Sequence, residues 1–267
     1  MYSAEIRRKM ADYYEFYYRD TLSIPDWENR VNSRYDEANI EKSRLIRLAK
    51  ILGLSYDKLN NVLVVGAGTG GALVALKQLG VRNVFAVEPN PEALEICMMK
   101  ADLCGLDTKL FSRHSAESLP YDNGTFEFVY CFTVLEHVQS IEQALVEMCR
   151  VLCPGGTLYV NTPNYNYPYE GHYKIHAPTC FGKLITSIYC FLMGKNVSFI
   201  KSLQFVTPYK IKRILYKIED ISFFWLHDSR ANNLNNRITG FRSLLARALS
   251  ILDIEKNQEI CVKKISI

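Results

Sequence analysis

The sequence predicts an α/β protein built on a mostly parallel sheet with helices on both faces. Strand-like and helix-like segments alternate through the middle of the chain, and a glycine-rich loop joins the first of these strands to its helix. The length of 267 residues suits one α/β domain with an insertion or a cap. With 48% hydrophobic and 22% charged residues, the composition is typical of a globular protein with a sizeable core and argues against disorder.

Residues 1–55 are predicted to form an N-terminal helical cap. In this region Leu45, Leu48 and Leu52 lie on one helical stripe, and Gly53 follows them as a stop signal. The cap precedes a cofactor-binding core that we expect to span residues 56–163.

The core is predicted to alternate strands with helices. Its five strands are predicted at residues 62–65, 84–87, 108–111, 126–131 and 157–161. A helix over 72–79 follows the first strand, Asn90 caps a second helix, and Ser140 and Gln143 have capping-box spacing before a third. The Pro-Gly-Gly segment 154–156 is predicted to turn the chain into the fifth strand. This order implies parallel strands joined by right-handed crossovers.

Residues 164–206 are predicted to form an inserted lid, because the regular alternation stops after the fifth strand. Residues 207–267 should complete the sheet with a helix at 208–217, a strand at 221–226, a helix at 242–252 and a strand at 259–264. Residues 171–218 contain eight basic residues and no acidic one, whereas the rest of the chain has 24 basic and 28 acidic residues. The block is either a solvated face or a surface for an anionic partner.

The eight cysteines include no CxxC pair and lie mostly in apolar runs, so buried reduced thiols are favoured over disulfides or zinc ligands. The N-terminus lacks the apolar core of a signal peptide. No stretch approaches the ~20 consecutive apolar residues of a spanning helix. We therefore expect a cytoplasmic protein.

The glycine loop carries the first functional signal. Gly66, Gly68 and Gly71 have GxGxxG spacing, which lets the backbone approach a ligand at the start of a helix. Glu88 ends the next strand 20 residues after Gly68, where a carboxylate can accept hydrogen bonds from ribose hydroxyls. The combination indicates a nucleoside-containing cofactor, although a nicotinamide enzyme would have the same pattern.

Six segments resemble the class I S-adenosylmethionine-dependent methyltransferases, in particular the broad group related to ubiquinone and menaquinone biosynthesis methyltransferases (methyltransferase type 11). They are VLVVGAGTG at 62–70, VEPN at 87–90, SAESLPY at 115–121, TFEFV at 125–129, VLEHV at 134–138 and RVLCPGG at 150–156. The resemblance covers about residues 60–163 and implies a Rossmann-like methyltransferase fold with S-adenosylmethionine as the cofactor. It says little about the acceptor.

The resemblance also implies which residues bind the cofactor. These would be Gly66, Ala67, Gly68, Gly70, Glu88, Pro89, Ala116, Glu117, Phe132 and Thr133. The glycine loop would line the methionine and ribose, and Glu88 would hold both ribose hydroxyls beside Pro89 and the adenine. Ala116 and Glu117 would flank the adenine edge, with the end of the fourth strand near the sulfur.

The acceptor side is predicted from two segments. His137 follows the fourth strand at the mouth of the predicted active site, with Glu136 beside it, and a packing role at the start of a helix is the alternative. Histidine is suited to take a proton from an acceptor hydroxyl. The lid segment adds His172 as a second catalytic candidate and, as substrate-binding candidates, Tyr169, Glu170, Tyr173 and His176. A Glu/His metal site in the lid segment is conceivable, but none is predicted, because the ligand spacing matches no standard pattern and methyl transfer does not require a metal.

The favoured hypothesis is an O-methyltransferase acting on a small, sugar or lipid-linked acceptor, with C- or N-methylation as the close variant. An anionic acceptor and peripheral membrane contact through the basic lid are further expectations. A catalytically silent partner protein is an alternative, because Val64 and Ser115 stand where the family often has acidic residues. A nicotinamide oxidoreductase is another, against which segments 135–137 and 154–156 argue. No nucleic-acid partner is expected, since the lid lacks the arginines and aromatic platform that stack bases.

Overall fold

The computed structural model describes residues 2–226 and 255–266. Within these residues, seven strands form one sheet. They are β1 (Asn61–Val65), β2 (Asn83–Val87), β3 (Phe111–Ser112), β4 (Phe126–Phe132), β5 (Leu152–Pro163), β6 (Ile221–Trp225) and β7 (Asn257–Lys264).

The sheet has the order β3-β2-β1-β4-β5-β7-β6. The strands from β3 to β5 pair in parallel, and β7 lies antiparallel between β5 and β6. The predicted fold class, a mostly parallel sheet, is therefore confirmed. Because the order reverses between β1 and β4, the carboxyl ends of these strands border a crevice of the kind in which open α/β sheets bind ligands.

Nine α-helices accompany the sheet in the described part of the chain. They are α1 (Ala4–Glu15), α2 (Trp27–Arg34), α3 (Glu37–Leu52), α4 (Gly71–Gln78), α5 (Pro91–Leu103), α6 (Ile141–Arg150), α7 (Lys183–Leu192), α8 (Val197–Ser202) and α9 (Pro208–Leu215). The residues predicted to cap the ends of individual helices do so. Asn90 accepts hydrogen bonds from two amides of α5, Ser140 accepts one from Gln143, and Gly53 ends α3 with a φ of 67°.

The two faces of the sheet carry two hydrophobic clusters. Alternate residues of β1 enter them, Leu63 and Val65 on one face and Val62 and Val64 on the other. Four cysteines are buried in these clusters, as predicted, and they are Cys97, Cys131, Cys149 and Cys261. Cys180 is exposed, contrary to that expectation.

The third strand is shorter than the sequence predicts. Thr108–Leu110 forms a single 3-10 turn, and β3 consists of two residues alone. Asp107 explains the difference, because its side chain accepts a hydrogen bond from the amide of Lys109 at 3.0 Å. That bond stabilises a turn in place of a strand.

The fifth strand begins earlier than predicted. The sequence predicts a turn at 154–156, whereas β5 runs through this segment with a register shift against β4. Gly155 has a φ of 79°, and a Cβ on Gly156 would lie 2.8 Å from the carbonyl oxygen of Cys153. The two glycines therefore form an irregularity within the strand.

The N-terminal cap and the predicted lid segment 164–206 share one hydrophobic cluster. The cap contributes Ile6, Met10, Tyr14, Tyr18, Leu22, Ile24 and Val31, and the segment contributes Tyr173, Cys190, Ile200 and Leu203. Each of the two parts thus buries some of its apolar side chains against the other. The helix predicted at 242–252 lies outside the described residues. Among the residues that the structure describes, no helix is long and apolar enough to cross a lipid bilayer.

Glu37, the first residue of α3, joins the cap to the core. Its carboxylate accepts hydrogen bonds from the Lys100 ammonium of α5, from the Thr69 hydroxyl of the glycine loop at 2.7 Å and from the Tyr14 hydroxyl of α1 at 3.2 Å. Lys100 is 0% exposed, and burial lowers its pKa although the Glu37 carboxylate opposes that shift. A buried cation of this kind depends on its counter-charge.

Replacing Glu37 by alanine is expected to lower the free energy of unfolding by about 3–5 kcal/mol, because Lys100 would be left buried without its counter-charge. Chemical denaturation followed by circular dichroism measures the change. The double variant Glu37→Ala/Lys100→Met should recover much of the loss, since it removes both charges.

The matched control is Glu142→Ala, which breaks an ion pair with Lys217 whose side chains are 55% and 56% exposed. This change should lower the free energy of unfolding by less than about 1 kcal/mol. Equal losses in the Glu37 and Glu142 variants would contradict the role given to Glu37.

Candidate active site

A cavity of about 570 Å³ lies at the carboxyl ends of the central strands. Its lining comes from the glycine loop after β1, the end of β4, the cap and the segment after β5. The volume is within the range of small-molecule and cofactor sites. The cavity is therefore the candidate active site.

The glycine loop forms the floor of the cavity. The amide groups of Gly66 and Ala67 donate to the carbonyl oxygen of Val87 at 2.9 and 3.1 Å, which holds the loop against β2. A Cβ on Gly66 would lie 2.3 Å from the Val134 side chain, so packing requires glycine there. A Cβ on Gly68 would meet nothing within 4 Å, and its φ is 53°. Gly68 thus leaves open space where a ligand can approach the backbone.

Glu88 stabilises the same loop from the end of β2. One of its carboxylate oxygens accepts the Gly68 amide at 2.8 Å, and the other accepts the Asn90 amide at 2.9 Å. Burial raises the pKa of Glu88, although the two amide hydrogen bonds oppose the shift. A carboxylate has about four acceptor positions, so two remain for further donors.

The end of β4 supplies Phe132 and Thr133 to the cavity lining. Thr133 has a φ of 53°, and its amide donates to the carbonyl oxygen of Asn161 at 2.8 Å. A β-branched residue in this left-handed conformation costs about 1–3 kcal/mol, a strain that is common at ligand sites. Both residues line the cavity, and their place near the sulfur of the cofactor stays a prediction.

Other predicted cofactor residues lie outside the cavity lining, as far as the described residues show. Gly70 precedes α4 with a φ of 92° and packs against Cys97. Ala116 is buried in the core, and the Glu117 carboxylate accepts the amides of Gln139 and Ser140 at 2.6 and 3.4 Å. That contact holds the start of α6. Glu88 and Pro89 are likewise absent from the lining formed by the described residues. The cofactor-binding roles predicted for all these residues stay predictions.

Two histidines and two glutamates meet at the cavity, which Glu136, His137 and His172 line. The Nε2 atoms of His137 and His172 are 3.4 Å apart, and Nδ1 of His172 lies 2.7 Å from the Glu170 carboxylate. Glu136 accepts a hydrogen bond from the Thr162 hydroxyl at 3.1 Å through one oxygen. Its other oxygen is buried without a hydrogen-bond partner, and the residue is 0% exposed.

The surroundings of this cluster shift the pKa of His137, His172 and Glu136. Desolvation beside the cavity lowers the pKa of His137, although the residue keeps solvent exposure, and the neighbouring His172 lowers it further. Burial also disfavours the charged form of His172, but its contact with Glu170 outweighs this and raises the pKa. Burial raises the pKa of Glu136 to about 7. Such shifts are common where groups take part in chemistry.

The remaining acceptor-side candidates surround this cluster unevenly. Tyr169 lines the cavity, and its ring lies 5.5 Å from that of His176, which is exposed. Glu170 also accepts the Tyr173 amide at 2.7 Å, while the Tyr173 hydroxyl donates to the carbonyl oxygen of Asn196. Tyr173 thus contacts Glu170 and is absent from the lining formed by the described residues, and the substrate-binding role predicted for it stays a prediction. Substrate binding by Tyr169 and His176 stays a prediction.

Helix α3 contributes charged side chains to the cavity lining, which the sequence patterns do not predict. Glu37, Glu41 and Arg44 all line the cavity, and Arg44 pairs with Glu41 and lies 3.6 Å above the Phe132 ring. The signal was in the sequence, since these residues have i, i+4, i+7 spacing and share one helical face. Nothing local indicated which part of the molecule that face covers.

Fold and site together define the class of protein. A sheet of order 3-2-1-4-5-7-6 with an antiparallel β7, a glycine loop after β1 and an acidic residue ending β2 is the class I S-adenosylmethionine-dependent methyltransferase fold. Residues 63–160 match the family model described as methyltransferase domain. The core of this chain is thus a class I methyltransferase domain, as the resemblance implied.

Two relatives and one solved structure support this assignment. Norajmaline N-methyltransferase of Rauvolfia serpentina is 34% identical over 117 residues, which cover 43% of this chain and 40% of that enzyme. Demethylmenaquinone methyltransferase of Tropheryma whipplei is 29% identical over 148 residues, 53% of this chain and 59% of that enzyme. The match thus spans less than two thirds of either relative.

The solved structure is that of an S-adenosylmethionine-dependent methyltransferase from Aquifex aeolicus. It aligns with a TM-score of 0.52 and 15% identity, and covers 82% of this chain and 88% of that chain. At this identity the likeness concerns the fold alone.

Proposed function

We propose that this chain is an S-adenosylmethionine-dependent methyltransferase that methylates a hydroxyl group of a lipid-linked acceptor. The observation that carries the proposal is that the open side of the glycine loop and the His137–His172 cluster face one cavity. A cofactor bound at the glycine loop and an acceptor bound at the His137–His172 cluster would meet inside this cavity. S-adenosylmethionine supplies an electrophilic methyl group on a sulfonium centre.

The residues present fit this cofactor. Gly68 leaves space for a ligand against the backbone, and the two free acceptor positions of Glu88 match the two hydroxyls of a ribose. Phe132 and Thr133 would face the sulfur end, since they line the cavity at the end of β4. These residues bind and orient, and alignment of the reacting atoms accounts for much of such a transfer.

The acceptor end favours oxygen as the methylated atom. A hydroxyl must lose its proton as it accepts a methyl group, and histidines beside carboxylates at a cavity wall are suited to assist that loss. We therefore assign His137 and His172 as catalytic residues and Glu136 as a neighbour that contacts the acceptor. Glu170 positions His172 through their 2.7 Å contact.

Helix α7 supports a membrane-bound source for the acceptor. It buries Thr186, Ser187 and Cys190 and exposes large apolar side chains, which reverses the usual arrangement of a helix on a globular protein. The exposed fractions are 70% for Phe181, 75% for Leu184, 54% for Ile188, 71% for Phe191 and 75% for Leu192. We call this row the α7 face.

The charge around the α7 face favours an anionic lipid surface. Lys183 and Lys195 flank the helix and Lys201 follows in α8, within a stretch of 48 residues that has eight cations and no anion. An apolar face with basic residues beside it is typical of segments that lie in a membrane interface. We therefore propose that the α7 face docks on an anionic phospholipid leaflet.

Replacing Glu88 by alanine should raise the dissociation constant for S-adenosylmethionine by about 30- to 1,000-fold. Loss of two charge-assisted hydrogen bonds costs ~2–4 kcal/mol after partial replacement by water. Gly68→Val should weaken binding further, because a branched side chain would occupy the open space beside the loop.

Isothermal titration calorimetry on the purified chain measures these constants, with circular dichroism to establish that each variant is folded. Glu92→Ala, an exposed glutamate on α5, is the control and should bind like the wild type. Unchanged affinity in a folded Glu88 variant would refute the cofactor assignment.

His137→Ala and His172→Ala should each slow methyl transfer by about 100- to 10,000-fold, because each removes a group that assists proton loss from the acceptor. Their dissociation constants for S-adenosylmethionine should stay close to the wild-type value. Transfer of labelled methyl groups to a lipid extract measures the rate.

The exposed histidine His114 provides the matched control, since His114→Ala lies outside the lining of the cavity among the described residues. Wild-type transfer rates in both His137 and His172 variants would mean that alignment alone drives the reaction.

A Leu184→Ser/Phe191→Ser variant should lose most binding to anionic vesicles, because it interrupts the α7 face. Flotation with phosphatidylglycerol-containing and pure phosphatidylcholine vesicles measures this binding. Replacing Lys183, Lys195 and Lys201 by glutamine should reduce the preference for anionic vesicles, since each cation near such a surface contributes about 1 kcal/mol.

The control Leu103→Ser/Val146→Ser changes apolar residues that are 58% and 44% exposed elsewhere, and it should float like the wild type. Equal recovery of the wild-type chain with both vesicle types, or with neither, would refute docking on an anionic leaflet. Concentration-dependent dimers that the α7 variant abolishes would instead assign the face to a second copy of the chain.

A further inference from the structure

Glu136, His137 and His172 are arranged like the ligands of a metal ion. One ligand atom from each residue lies within 4.8 Å of the others. The residues come from two segments, the end of β4 and the hairpin that the Glu170–Ile175 bridge closes after β5. Their spacing along the chain therefore matches no standard ligand pattern, and the three residues come together only in the folded chain.

The distance between the two imidazoles fits a common cation. Nε2 of His137 and Nε2 of His172 are 3.4 Å apart. Two nitrogens that each lie ~2.1 Å from a tetrahedral zinc-type ion are about 3.4 Å apart. The two rings thus already have the separation of a coordinated pair.

Glu136 supplies the negative charge that such an ion needs. It is 0% exposed, yet its Oε1 atom has no hydrogen-bond partner among the described residues. A buried carboxylate oxygen without a donor is unfavourable unless something satisfies it. A cation beside the two imidazoles would do so, and the residue lines the same cavity as both histidines.

A further carboxylate orients one of the imidazoles. Glu170 contacts Nδ1 of His172 at 2.7 Å and is itself fixed by the Tyr173 amide at 2.7 Å. A proton on Nδ1 leaves the Nε2 lone pair directed away from Glu170, towards His137. Carboxylates of this kind behind a ligating histidine are a regular feature of metal sites.

We propose that Glu136, His137 and His172 bind one divalent transition-metal ion of the zinc or iron type, with Glu170 as the group that orients His172. Imidazole ligands favour these ions over magnesium and calcium, which prefer oxygen ligands. Three protein ligands leave at least one coordination position open, as in catalytic metal sites. That position faces the cavity.

The role of the ion rests on the proposed function, whereas its binding does not. As ligands, His137 and His172 would assist proton loss through the ion rather than as bases. An acceptor hydroxyl bound at the open position would lose its proton to water more readily, because the cation stabilises the oxyanion. The oxygen lone pair then forms a bond to the methyl carbon while the carbon–sulfur bond breaks. The products are the methyl ether, the neutral thioether S-adenosylhomocysteine and one released proton.

Cobalt(II) is the probe for this site, because its visible spectrum reports the type of ligand. The full-length chain, stripped with a chelator and kept reduced, should bind one equivalent with the bands of nitrogen and oxygen ligation. His137→Ala and His172→Ala should each weaken binding at least 100-fold, and Glu170→Gln should weaken it 10- to 100-fold as loss of an orienting partner does.

Glu136→Gln tests the charged ligand, and thermal melting of each variant shows whether it is folded. His114→Ala and Cys180→Ser, both exposed and outside the cluster, are the controls and should bind like the wild type. Sulfur-to-cobalt charge-transfer bands that Cys180→Ser removes would overturn the site. So would the absence of stoichiometric binding, or equal affinity in the wild-type and both histidine variants.

Titration with S-adenosylmethionine, run in parallel, separates this inference from the proposed function. Cofactor binding without cobalt binding overturns the metal site and leaves the methyltransferase proposal intact. Cobalt binding without cofactor binding overturns the methyltransferase proposal and leaves the metal site intact.

Discussion

The buried Glu37 carboxylate is the constraint on which the rest of the structure depends. It holds a helix of the cap, the glycine loop and α5 at a single point through Tyr14, Thr69 and Lys100. Because the cap also forms one wall of the cavity, this contact decides where that wall stands relative to the cofactor loop. Substrate access and loop geometry are therefore coupled through one carboxylate.

Much of the fold follows from local sequence. The buried runs of β1 and β2, the glycine loop and the caps at Asn90 and Ser140 depend on neighbours within a few residues, so pattern reasoning identifies them. The two wrong predictions of secondary structure also have local causes. Asp107 turns the chain where a strand is predicted, and Gly156 lets β5 pass where a turn is predicted. In each case one side-chain contact, or the lack of a side chain, outweighed the general preference.

The candidate site was predictable only in parts. The sequence identified His137 and His172 separately, but their 3.4 Å approach depends on how the chain folds back after β5. The same applies to Glu41 and Arg44, whose helical face was readable although its position over Phe132 was not. Contacts between segments far apart in sequence come from packing, which periodicity does not encode.

The hydrophobic cluster shared by the N-terminal cap and the segment 164–206 has a consequence for synthesis. The apolar faces of residues 4–34 leave the ribosome first, yet Tyr173, Ile200 and Leu203, which cover them, follow some 140 to 200 residues later. At translation rates of about 5–20 residues per second, the nascent cap waits roughly 7 to 40 s for its partner. During that interval the tyrosine-rich surface of the cap lacks its partner, and the cavity, which residues of both segments line, is complete only afterwards.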